Sequence, residues 1–556
     1  MYPQVEPTAR ALMDRRVLAV APGRRVTDAA EAVRRARAEL LVVGGGLAVT
    51  RSDLERASRW GLGKLCASAL AWRGLPTVSA RTPEVRVRRL LLGGTPMILV
   101  REGRHVVGVI DGARVDVAHP ALSIAHRLDR PASRWDEDGL WLCRVAGKVG
   151  EGLGAPVFAV GGFARDLLLD RPPADVDLLV AGDGVAFARR LSEEVGGRVA
   201  VHREFGTASI EGARGAGGAF VGRVDIASAR RERYERPGAL PTVSAATVDE
   251  DLRRRDFSVN AMAMALSPSA FGRLLDPLGG QRDLKRRRLR PLCPLSFVED
   301  PTRIFRAARY AARLGFRLDP TAVPALRLGL GVAPYPALSG QRLRAELDLL
   351  MAEPTGWRGV ELVLSWGGLS LWDHGYRASS RGRTRLRASR RLCAWARREG
   401  VALDWSEVAL IALLADQRPS VATRCLTRLA VTGEPFVALR AGVGAHALAR
   451  RLGGAAALAP SRVADLLRSC PPPVLVGVWL HGDRYARRRV EWFLGRGRAM
   501  RPRLSGTDVV ALGVEPGPEV GRCLEALRRL RLDGVLVTLN QERGFVTQWL
   551  ATRRVT

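Results

Sequence analysis

The segment 157–180 constrains the fold of this chain more strongly than any other. Its sequence, VFAVGGFARDLLLDRPPADVDLLV, predicts a strand, a glycine turn, a short helix, a loop and a second strand. Asp175 and Asp177 alternate along the second strand, so both carboxylates leave the same face. Like charges repel at this spacing, and folding alone gives no reason to place them together. A pair of hard cations would give one.

Two glycines, Gly161 and Gly162, end the first predicted strand. Glycine permits a tight turn, and its bare N–H groups can approach phosphate oxygens. The helix that follows points its positive N-terminus in the same direction. A glycine pair before a helix is weak evidence alone, but here it precedes two spaced carboxylates.

The chain has 556 residues, which predicts two to four domains. Its formal net charge is +32 and comes almost entirely from arginine. A GC-rich genome would explain part of this excess, but the positive field remains, and a polyanion is its natural partner. Nucleic acid fits better than a membrane surface, because no basic amphipathic segment carries an aromatic face. The seven cysteines are scattered singly, which favours a reducing cytoplasm over a disulfide or zinc framework.

Residues 9–116 contain two copies of a small α/β pattern: helix, apolar strand, glycine-containing turn, apolar strand, polar helix start. The pattern resembles a pair of CBS repeats. That resemblance implies an adenine nucleotide at Thr50 and Asp53, and a homodimer formed through the repeats. The second copy carries Asp111 and Arg114 instead, which argues against a second ligand site. A plain helix N-cap by Thr50 and Asp53 explains the first pair equally well.

The combined pattern GGxxRDxLLxxxxxDxD resembles the signature of class II tRNA nucleotidyltransferases and bacterial poly(A) polymerases, within the polymerase-beta nucleotidyltransferase superfamily. The resemblance implies that a terminal 3′-hydroxyl attacks the α-phosphate of a nucleoside triphosphate, assisted by two Mg²⁺ ions. Asp175 and Asp177 are then the metal ligands, and Asp225 is the candidate third catalytic carboxylate. The alternative for Asp225 is an ordinary charge at a strand end.

The same resemblance assigns the nucleotide-binding residues. Gly161, Gly162 and Arg165 belong to the first motif, and residues 254–260 match the family's RRDFTxNA-like motif for the ribose and triphosphate. The members of this second set are Arg254, Arg255, Asp256 and Asn260. Asp256 is expected to accept a hydrogen bond from the 2′-hydroxyl, which favours ribonucleotides. The alternative is a salt-bridged surface cluster. The segment 230–252 has few apolar anchors and predicts a mobile loop over the pocket.

Residues 299–306, EDPTRIFR, begin a helix, with Asp300 at the cap and Pro301 in the first turn. They also resemble the family's EDxxR motif, which implies that Asp300 and Arg303 form a protein template and that Arg306 binds nucleotide. The carboxylate accepts from the exocyclic amine of cytosine or adenine, and the guanidinium donates to ring acceptors. Uracil and guanine present a carbonyl instead, and the mismatch costs roughly 1–3 kcal/mol.

The predicted fold class is multidomain: an α/β CBS pair, an α+β head with a mixed sheet, and an all-α neck, body and tail. The expected boundaries are 1–116 for the CBS pair, 117–138 for a linker, 139–290 for the head, 291–355 for the neck, 356–500 for the body and 501–556 for the tail. The arginine-rich run 484–503, with interleaved aromatics, grips RNA backbone or is a solvated helix face.

The leading interpretation is a cytoplasmic tRNA 3′-terminal nucleotidyltransferase that adds AMP from ATP, since CBS repeats ahead of such a head resemble the bacterial A-adding branch. A full CCA-adding enzyme, using CTP and ATP, and a poly(A) polymerase are the open alternatives. A non-catalytic nucleotide sensor or RNA-binding protein is a remote one, because degenerate relatives lose the paired aspartates.

Overall fold

The computed structural model describes residues 7–44, 46–112, 115, 123–124, 137–171, 176–202, 206–215 and 220–553. Asp175 and most of the predicted linker lie outside this part of the chain. The structure divides into two compact units, with the boundary between Ser339 and Gly340. That boundary falls inside the segment 291–355 predicted as the neck.

The first unit begins with two small sheets of identical topology. In each sheet the first two strands pair in parallel and the last two antiparallel. The elements are α1 (Ala9–Leu12), β1 (Val17–Val20), α2 (Val26–Arg35), β2 (Leu40–Val43), β3 (Leu47–Thr50), α3 (Arg51–Arg59), β4 (Thr77–Ser79), α4 (Glu84–Leu92), β5 (Met97–Glu102) and β6 (His105–Asp111). The internal repeat expected from the sequence is therefore present, and we call this part the N-terminal repeats.

The two small sheets share a core because both faces of their central strands are apolar. All four residues of β2 are buried. Leu40 and Val42 pack with Leu99 and Val109 of the second sheet. This continuous burial explains why the central strands read as unbroken runs of Leu, Val and Ile rather than as alternating patterns.

The head follows, built around one seven-stranded mixed sheet of order β15-β14-β7-β8-β11-β10-β9. Its elements are α5 (Glu137–Gly152), β7 (Val157–Val160), α6 (Gly162–Leu168), β8 (Val176–Val180), α7 (Gly184–Val195), β9 (Arg198–His202), β10 (Thr207–Arg214), β11 (Phe220–Ser228), β12 (Arg230–Arg233), β13 (Thr242–Ala245), α8 (Val248–Arg253), β14 (Ala263–Ala265), β15 (Leu274–Leu275), α9 (Gly280–Lys285) and β16 (Arg288–Leu289). Strands β8 and β11 are parallel, and the other neighbours run antiparallel.

The segment 230–252, expected to be an irregular mobile loop, instead forms the hairpin β12–β13 and helix α8. Thr247 and Glu250 form a reciprocal capping box that starts this helix. Leu252 then packs against Leu179 and Ala263 of the large sheet. These anchors, which the sequence pattern did not reveal, hold the hairpin and α8 on the face of β8 that carries Leu179.

The N-terminal repeats contact the head through backbone rather than side chains at one point. Gly94 and Gly279 both have φ of +71°. A Cβ on Gly94 would lie 2.0 Å from the Gly279 nitrogen, closer than any real side chain can approach. Glycine is therefore required on the repeat side of this contact for steric reasons as well as conformational ones.

The predicted neck segment begins with helices and one short strand. Its elements up to the unit boundary are α10 (Ser296–Glu299), α11 (Arg303–Leu314), β17 (Arg317–Leu318) and α12 (Val323–Val332). The all-α expectation for the neck is wrong at β17, which pairs in parallel with β16. Gly315 ends α11 in the left-handed conformation, and the chain then runs alongside β16 for two residues.

The second unit is helical throughout its described residues. Its elements are α13 (Gly340–Ala352), α14 (Gly356–Trp366), α15 (Ser380–Arg398), α16 (Trp405–Leu414), α17 (Pro419–Arg428), α18 (Gly433–Val443), α19 (His446–Arg451), α20 (Pro460–Leu467), α21 (Pro472–His481), α22 (Arg484–Trp492), α23 (Gly506–Ala511), α24 (Pro518–Leu532) and α25 (Leu539–Arg553). Helices α18 and α21 cross where a Cβ on Gly477 would lie 1.9 Å from the Gly442 oxygen. No helix of the described chain has the length and apolarity needed to cross a bilayer.

Candidate active site

Two carboxylates face each other across the parallel strands β8 and β11. Asp177 is the direct register partner of Asp225. Parallel neighbours lie about 4.8 Å apart and paired residues project to the same side of a sheet. The sequence interpretation that selected Asp225 as the third carboxylate therefore agrees with the strand register, although Asp175 itself lies outside the described residues.

The glycine turn after β7 lies against Asp177. Gly161 has φ of +69°, a conformation that side-chain-bearing residues rarely adopt. A Cβ at this position would lie 3.0 Å from Asp177 Oδ2 and 3.6 Å from Arg255 Nη1. The missing side chain therefore leaves space where a carboxylate, a guanidinium and bare backbone converge.

The donor set suits magnesium. Asp177 and Asp225 supply hard carboxylate oxygens on one face, and both side chains are partly exposed. Asp225 also pairs with Arg223, 2.8 Å away. Within the described ranges no three His, Cys, Asp or Glu side chains cluster as a complete metal site. Asp175, predicted from the sequence as a further ligand, lies outside the described residues.

Asp251, which the sequence analysis did not single out, organises the two arginines of the 254–260 motif. It is fully buried on α8. Its Oδ1 accepts from Arg254 Nε at 2.9 Å, and its Oδ2 accepts from Arg255 Nη2 at 3.0 Å. The i,i+3 and i,i+4 spacing of these residues is the signal that could have identified it. Arg254 pairs in addition with Glu232 of the hairpin.

Arg165 is a buried link within the head. It forms an ion pair with Asp166 at 2.8 Å and donates to Asn260 Oδ1 at 2.6 Å. A Cβ on Gly162 would lie 3.0 Å from its Nη2 atom. These contacts join the first motif to the 254–260 motif, so Arg165 positions Asn260 in this structure.

Asp256 anchors the other end of that link. Its Oδ1 accepts from Asn260 at 3.0 Å, and its Oδ2 accepts from Arg306 Nε at 2.9 Å and Nη2 at 2.7 Å. Burial alone would raise the pKa of Asp256, but Arg306 and Asn260 more than offset it and hold that pKa below its usual value. Both oxygens already accept protein hydrogen bonds, so the 2′-hydroxyl contact assigned to Asp256 stays a prediction.

Tyr310 on α11 is the second organising residue that the sequence analysis missed. Arg165, Arg306 and Arg309 lie over its ring at 5.5, 5.7 and 5.1 Å from the centroid. Stacking on an aromatic face gathers like charges that would otherwise repel. The cluster beside the 254–260 motif therefore holds three guanidiniums, two of which already pair with carboxylates, Arg165 with Asp166 and Arg306 with Asp256.

Asp300 and Arg303, the proposed base readers, lie at the junction of α10 and α11. Asp300 Oδ1 accepts from the Thr302 backbone at 3.0 Å, but α11 begins at Arg303 with Thr302 as its cap residue, so the expected helix start at Asp300 and Pro301 is wrong by two residues. Arg303 Nη1 donates to Ser296 Oγ at 2.7 Å and Nη2 to the Arg254 carbonyl at 3.2 Å. Tyr234, from the hairpin, lies near both, and its burial raises the pKa of its hydroxyl.

Thr50 and Asp53 form a helix cap in the N-terminal repeats. Thr50 accepts from the Asp53 backbone at 3.0 Å, and the buried Asp53 carboxylate accepts from Trp72 Nε1 at 3.0 Å. Arg56 completes an ion pair with the same carboxylate. The cap predicted as the alternative is present, and the Asp53 side chain is committed to protein contacts.

In the second unit, the run 484–503 presents several exposed arginines. Arg488, Arg496 and Arg498 are exposed, and no carboxylate within the described chain pairs with them. Phe493, however, is buried and does not face solvent as a stacking surface. It begins a π-helical turn, Phe493–Gly497, at the end of α22. A grip of this run on RNA backbone stays a prediction, and it would use charge rather than this aromatic.

Taken together, the mixed sheet, the glycine turn and the paired carboxylates on parallel strands define a nucleotidyltransferase head. A family model described as the poly A polymerase head domain matches residues 157–290. An A-adding tRNA nucleotidyltransferase of Geobacter sulfurreducens is 30% identical over 576 residues, covering 96% of this chain and 64% of that protein. A CC-adding tRNA nucleotidyltransferase of Deinococcus radiodurans is 32% identical over 418 residues, covering 74% of this chain and 94% of that protein.

Among solved structures, a Thermotoga maritima CCA-adding enzyme complexed with tRNA has the same fold, with a TM-score of 0.62 and 25% identity. The match covers 77% of this chain and 99% of that one. The chain belongs to the family of tRNA nucleotidyltransferases and poly(A) polymerases. It spans slightly less than two thirds of the length of the Geobacter relative.

Proposed function

We propose that this protein is a template-independent tRNA nucleotidyltransferase that completes the CCA end by adding AMP from ATP, with release of pyrophosphate. The observation that carries the catalytic part is the register of Asp177 against Asp225 beside the side-chain-free turn at Gly161. Folding alone does not require two carboxylates there, and phosphoryl transfer through metal ions does.

The reaction joins the oxygen of the tRNA 3′-hydroxyl to the α-phosphorus of the nucleotide and breaks the bond from that phosphorus to the bridging oxygen of pyrophosphate. Asp177 and Asp225, with Asp175, would hold two Mg²⁺ ions. When bound, such ions supply charge neutralisation at the phosphates and favour the deprotonated hydroxyl. Gly161 leaves room for the reacting phosphate next to Asp177.

The arginines supply the remaining positive charge. Asp251 aims Arg255 toward Gly161, and Tyr310 gathers Arg306 with its arginine neighbours. These guanidiniums are fixed before the triphosphate arrives, so they stabilise developing charge without reorganising. Asp300 and Arg303 would then select adenine or cytosine by accepting from the exocyclic amine and donating to ring acceptors.

The restriction to AMP rests on the N-terminal repeats. The alignment with the A-adding Geobacter relative leaves out at most 4% of this chain, too little to omit the repeats. Coverage alone does not separate the two activities, however, because the CC-adding Deinococcus relative aligns with 74% of this chain and an A-adding relative of Halalkalibacterium halodurans with 70%. A full CCA-adding enzyme is the second candidate, favoured by the solved relative with the same fold, and poly(A) synthesis is the third.

The domain assignments follow from this function. We assign residues 1–116 to a CBS pair, 117–138 to a linker, 139–290 to the catalytic head, 291–355 to the neck, 356–500 to the body and 501–556 to a tRNA-binding tail. An adenine nucleotide at Thr50 and Asp53 and a dimer through the repeats belong to the same proposal, although Asp53 would first have to release its protein partners. Processing of tRNA places the protein in the cytoplasm.

The test offers the purified protein three tRNAs that end at the discriminator base, at CC and at CCA, each with ATP or CTP. The proposal expects one AMP on the CC-ended substrate and no CMP on the first. Addition of CMP to the first substrate would establish CC or CCA addition instead. Long adenosine tails on unrelated RNA would indicate poly(A) synthesis. The absence of nucleotide addition to every substrate would refute the enzymatic proposal.

A further inference from the structure

The buried carboxylate of Glu299 contacts both the N-terminal repeats, through Arg56, and the proposed base reader Arg303. Glu299 is 6% exposed, at the end of α10. Its Oε1 pairs with Arg56 of α3, and its Oε2 lies 3.5 Å from Arg303 Nη1. The Cys293 thiol lies 3.8 Å from Oε2, and burial raises the pKa of that thiol to about 12, so it stays protonated.

Arg56 is itself held between two buried carboxylates. One terminal nitrogen pairs with Asp53 and the other with Glu299. Asp53 is 2% exposed and is fixed in turn by Thr50 and Trp72. The guanidinium therefore has one position available, and that position is set by the fold of the repeats.

Arg56 neutralises the charge on Glu299 that would otherwise attract Arg303. Two buried carboxylates, Asp53 and Glu299, share the half-buried guanidinium of Arg56 and the buried one of Arg303. Glu299 makes its close ion pair with Arg56, so its contact with Arg303 stays long at 3.5 Å. Without Arg56, a buried carboxylate would keep Arg303 as its one cation, and the strong attraction at low dielectric would draw Arg303 onto it.

We infer that Arg56 is a positioning residue for base selection: by neutralising Glu299 it keeps the Arg303 guanidinium available to the incoming base. This inference rests on the proposed function, because it takes Arg303 as the base reader. It gives the N-terminal repeats a part in the choice of nucleotide that does not require a ligand bound to them.

The test compares Arg56→Met with Arg51→Met as a matched control. Arg51 lies on the same helix and pairs with Glu55 at 2.8 Å, so the control loses an ion pair without touching the head. The measured quantity is the ratio of kcat/KM for ATP to that for GTP on tRNA ending in CC, because guanine presents a carbonyl where adenine presents the amine. We expect Arg56→Met to lower this ratio about tenfold with a raised KM for ATP, and the control to leave it unchanged.

A third variant separates positioning from simple destabilisation. In Arg56→Met the uncompensated charge on Glu299 causes the defect, so adding Glu299→Gln should restore part of the ratio even if the melting temperature falls further. An unchanged ratio in Arg56→Met, or a double variant worse than the sum of its parts, would overturn the inference. If Arg56→Met does not fold, Arg56→Gln, which also removes the charge, takes its place, and the same ratio decides. Failure of the wild-type protein to add any nucleotide refutes the proposed function instead.

Discussion

Asp177 and Asp225 are direct partners in the parallel pairing of β8 with β11, and Asp177 lies next to a turn with no side chain. We expect Asp177→Asn and Asp225→Asn each to lower kcat for AMP addition about 100-fold or more, because loss of a metal-holding carboxylate removes several kcal/mol of transition-state stabilisation. Affinity for tRNA, measured by filter binding, should change little. Glu193→Gln, an exposed carboxylate of α7, is the control. Full turnover in either aspartate variant would remove the proposed metal site.

Gly161→Ala should be more damaging than its size suggests. The new methyl group would meet Asp177 Oδ2 at 3.0 Å, and the φ of +69° adds about 1–3 kcal/mol of backbone strain. We expect kcat to fall strongly and the melting temperature to fall by a few degrees. Gly152→Ala is the control, since a Cβ there meets nothing within 4 Å. Equal activity of the two variants would show that the space beside Asp177 is not used.

Asp251→Asn tests the residue that aims the motif arginines. The amide can accept fewer hydrogen bonds and carries no charge, so Arg254 and Arg255 lose their anchor at a cost of about 1–3 kcal/mol. We expect a raised KM for ATP and a lower melting temperature. Asp249→Asn on the same helix, which pairs with Arg253 at the surface, should change neither. A KM that stays at the wild-type value would place the arginines outside the nucleotide site.

Binding of tRNA should weaken steeply with salt, because phosphate contacts release condensed counterions. Replacing Arg488 and Arg496 together by alanine should reduce the slope of log K against log salt by about one for each phosphate that the protein no longer neutralises. Arg35→Ala, an exposed arginine of the N-terminal repeats, is the comparison. A slope unaffected by the paired change would move the RNA-binding surface away from the run 484–503.

His481 predicts a pH dependence of stability in the second unit. Burial lowers its pKa to about 4, and the ring of His446 stacks on it with centroids 3.6 Å apart. The unfolded chain therefore binds the proton more readily than the folded one between about pH 6.5 and pH 4, and stability falls as pH falls through that window. The loss is at most about 1.4 kcal/mol per pH unit.

Thermal melts at pH 7.5 and pH 5 check this dependence. The wild-type protein should lose more stability at pH 5 than His481→Gln, which has no proton to gain. His374→Gln, at an exposed site, should behave like the wild type. If the wild type and His481→Gln lose the same stability between pH 7.5 and pH 5, this histidine does not cause the loss of stability at acid pH.

The head was predictable because its motifs are local. The segment 157–180 contains its own strand, turn and helix, and its period-two spacing predicts two carboxylates on one face, of which the structure describes Asp177. The repeat in residues 9–116 was visible for the same reason. Asp225 required a further step, since its pairing with Asp177 depends on strand register, which no single segment specifies.

What the sequence did not reveal was the layer of residues that hold the motifs. Asp251 contacts Arg254 and Arg255 at local spacings that the sequence analysis did not use, whereas Tyr310 reaches Arg165 only because α11 packs against the head. The hairpin and helix at 230–252 were missed because their apolar anchor on the large sheet is Leu252, at the end of the segment in α8. The link from Arg56 to Glu299 joins residues 243 positions apart, so no local pattern indicates it.

The contact of Gly94 with Gly279 has a consequence for how this protein can change over time. Because the backbone of one glycine packs directly on the backbone of the other, no side chain at this contact can be substituted. A mutation at one glycine therefore cannot be compensated by a mutation at the other. We therefore expect the N-terminal repeats and the head to evolve together as one packed unit, rather than as separate domains joined only by a linker. Truncation or domain exchange at this contact should therefore expose the packed surface around Gly94 on the repeats and the one around Gly279 on the head.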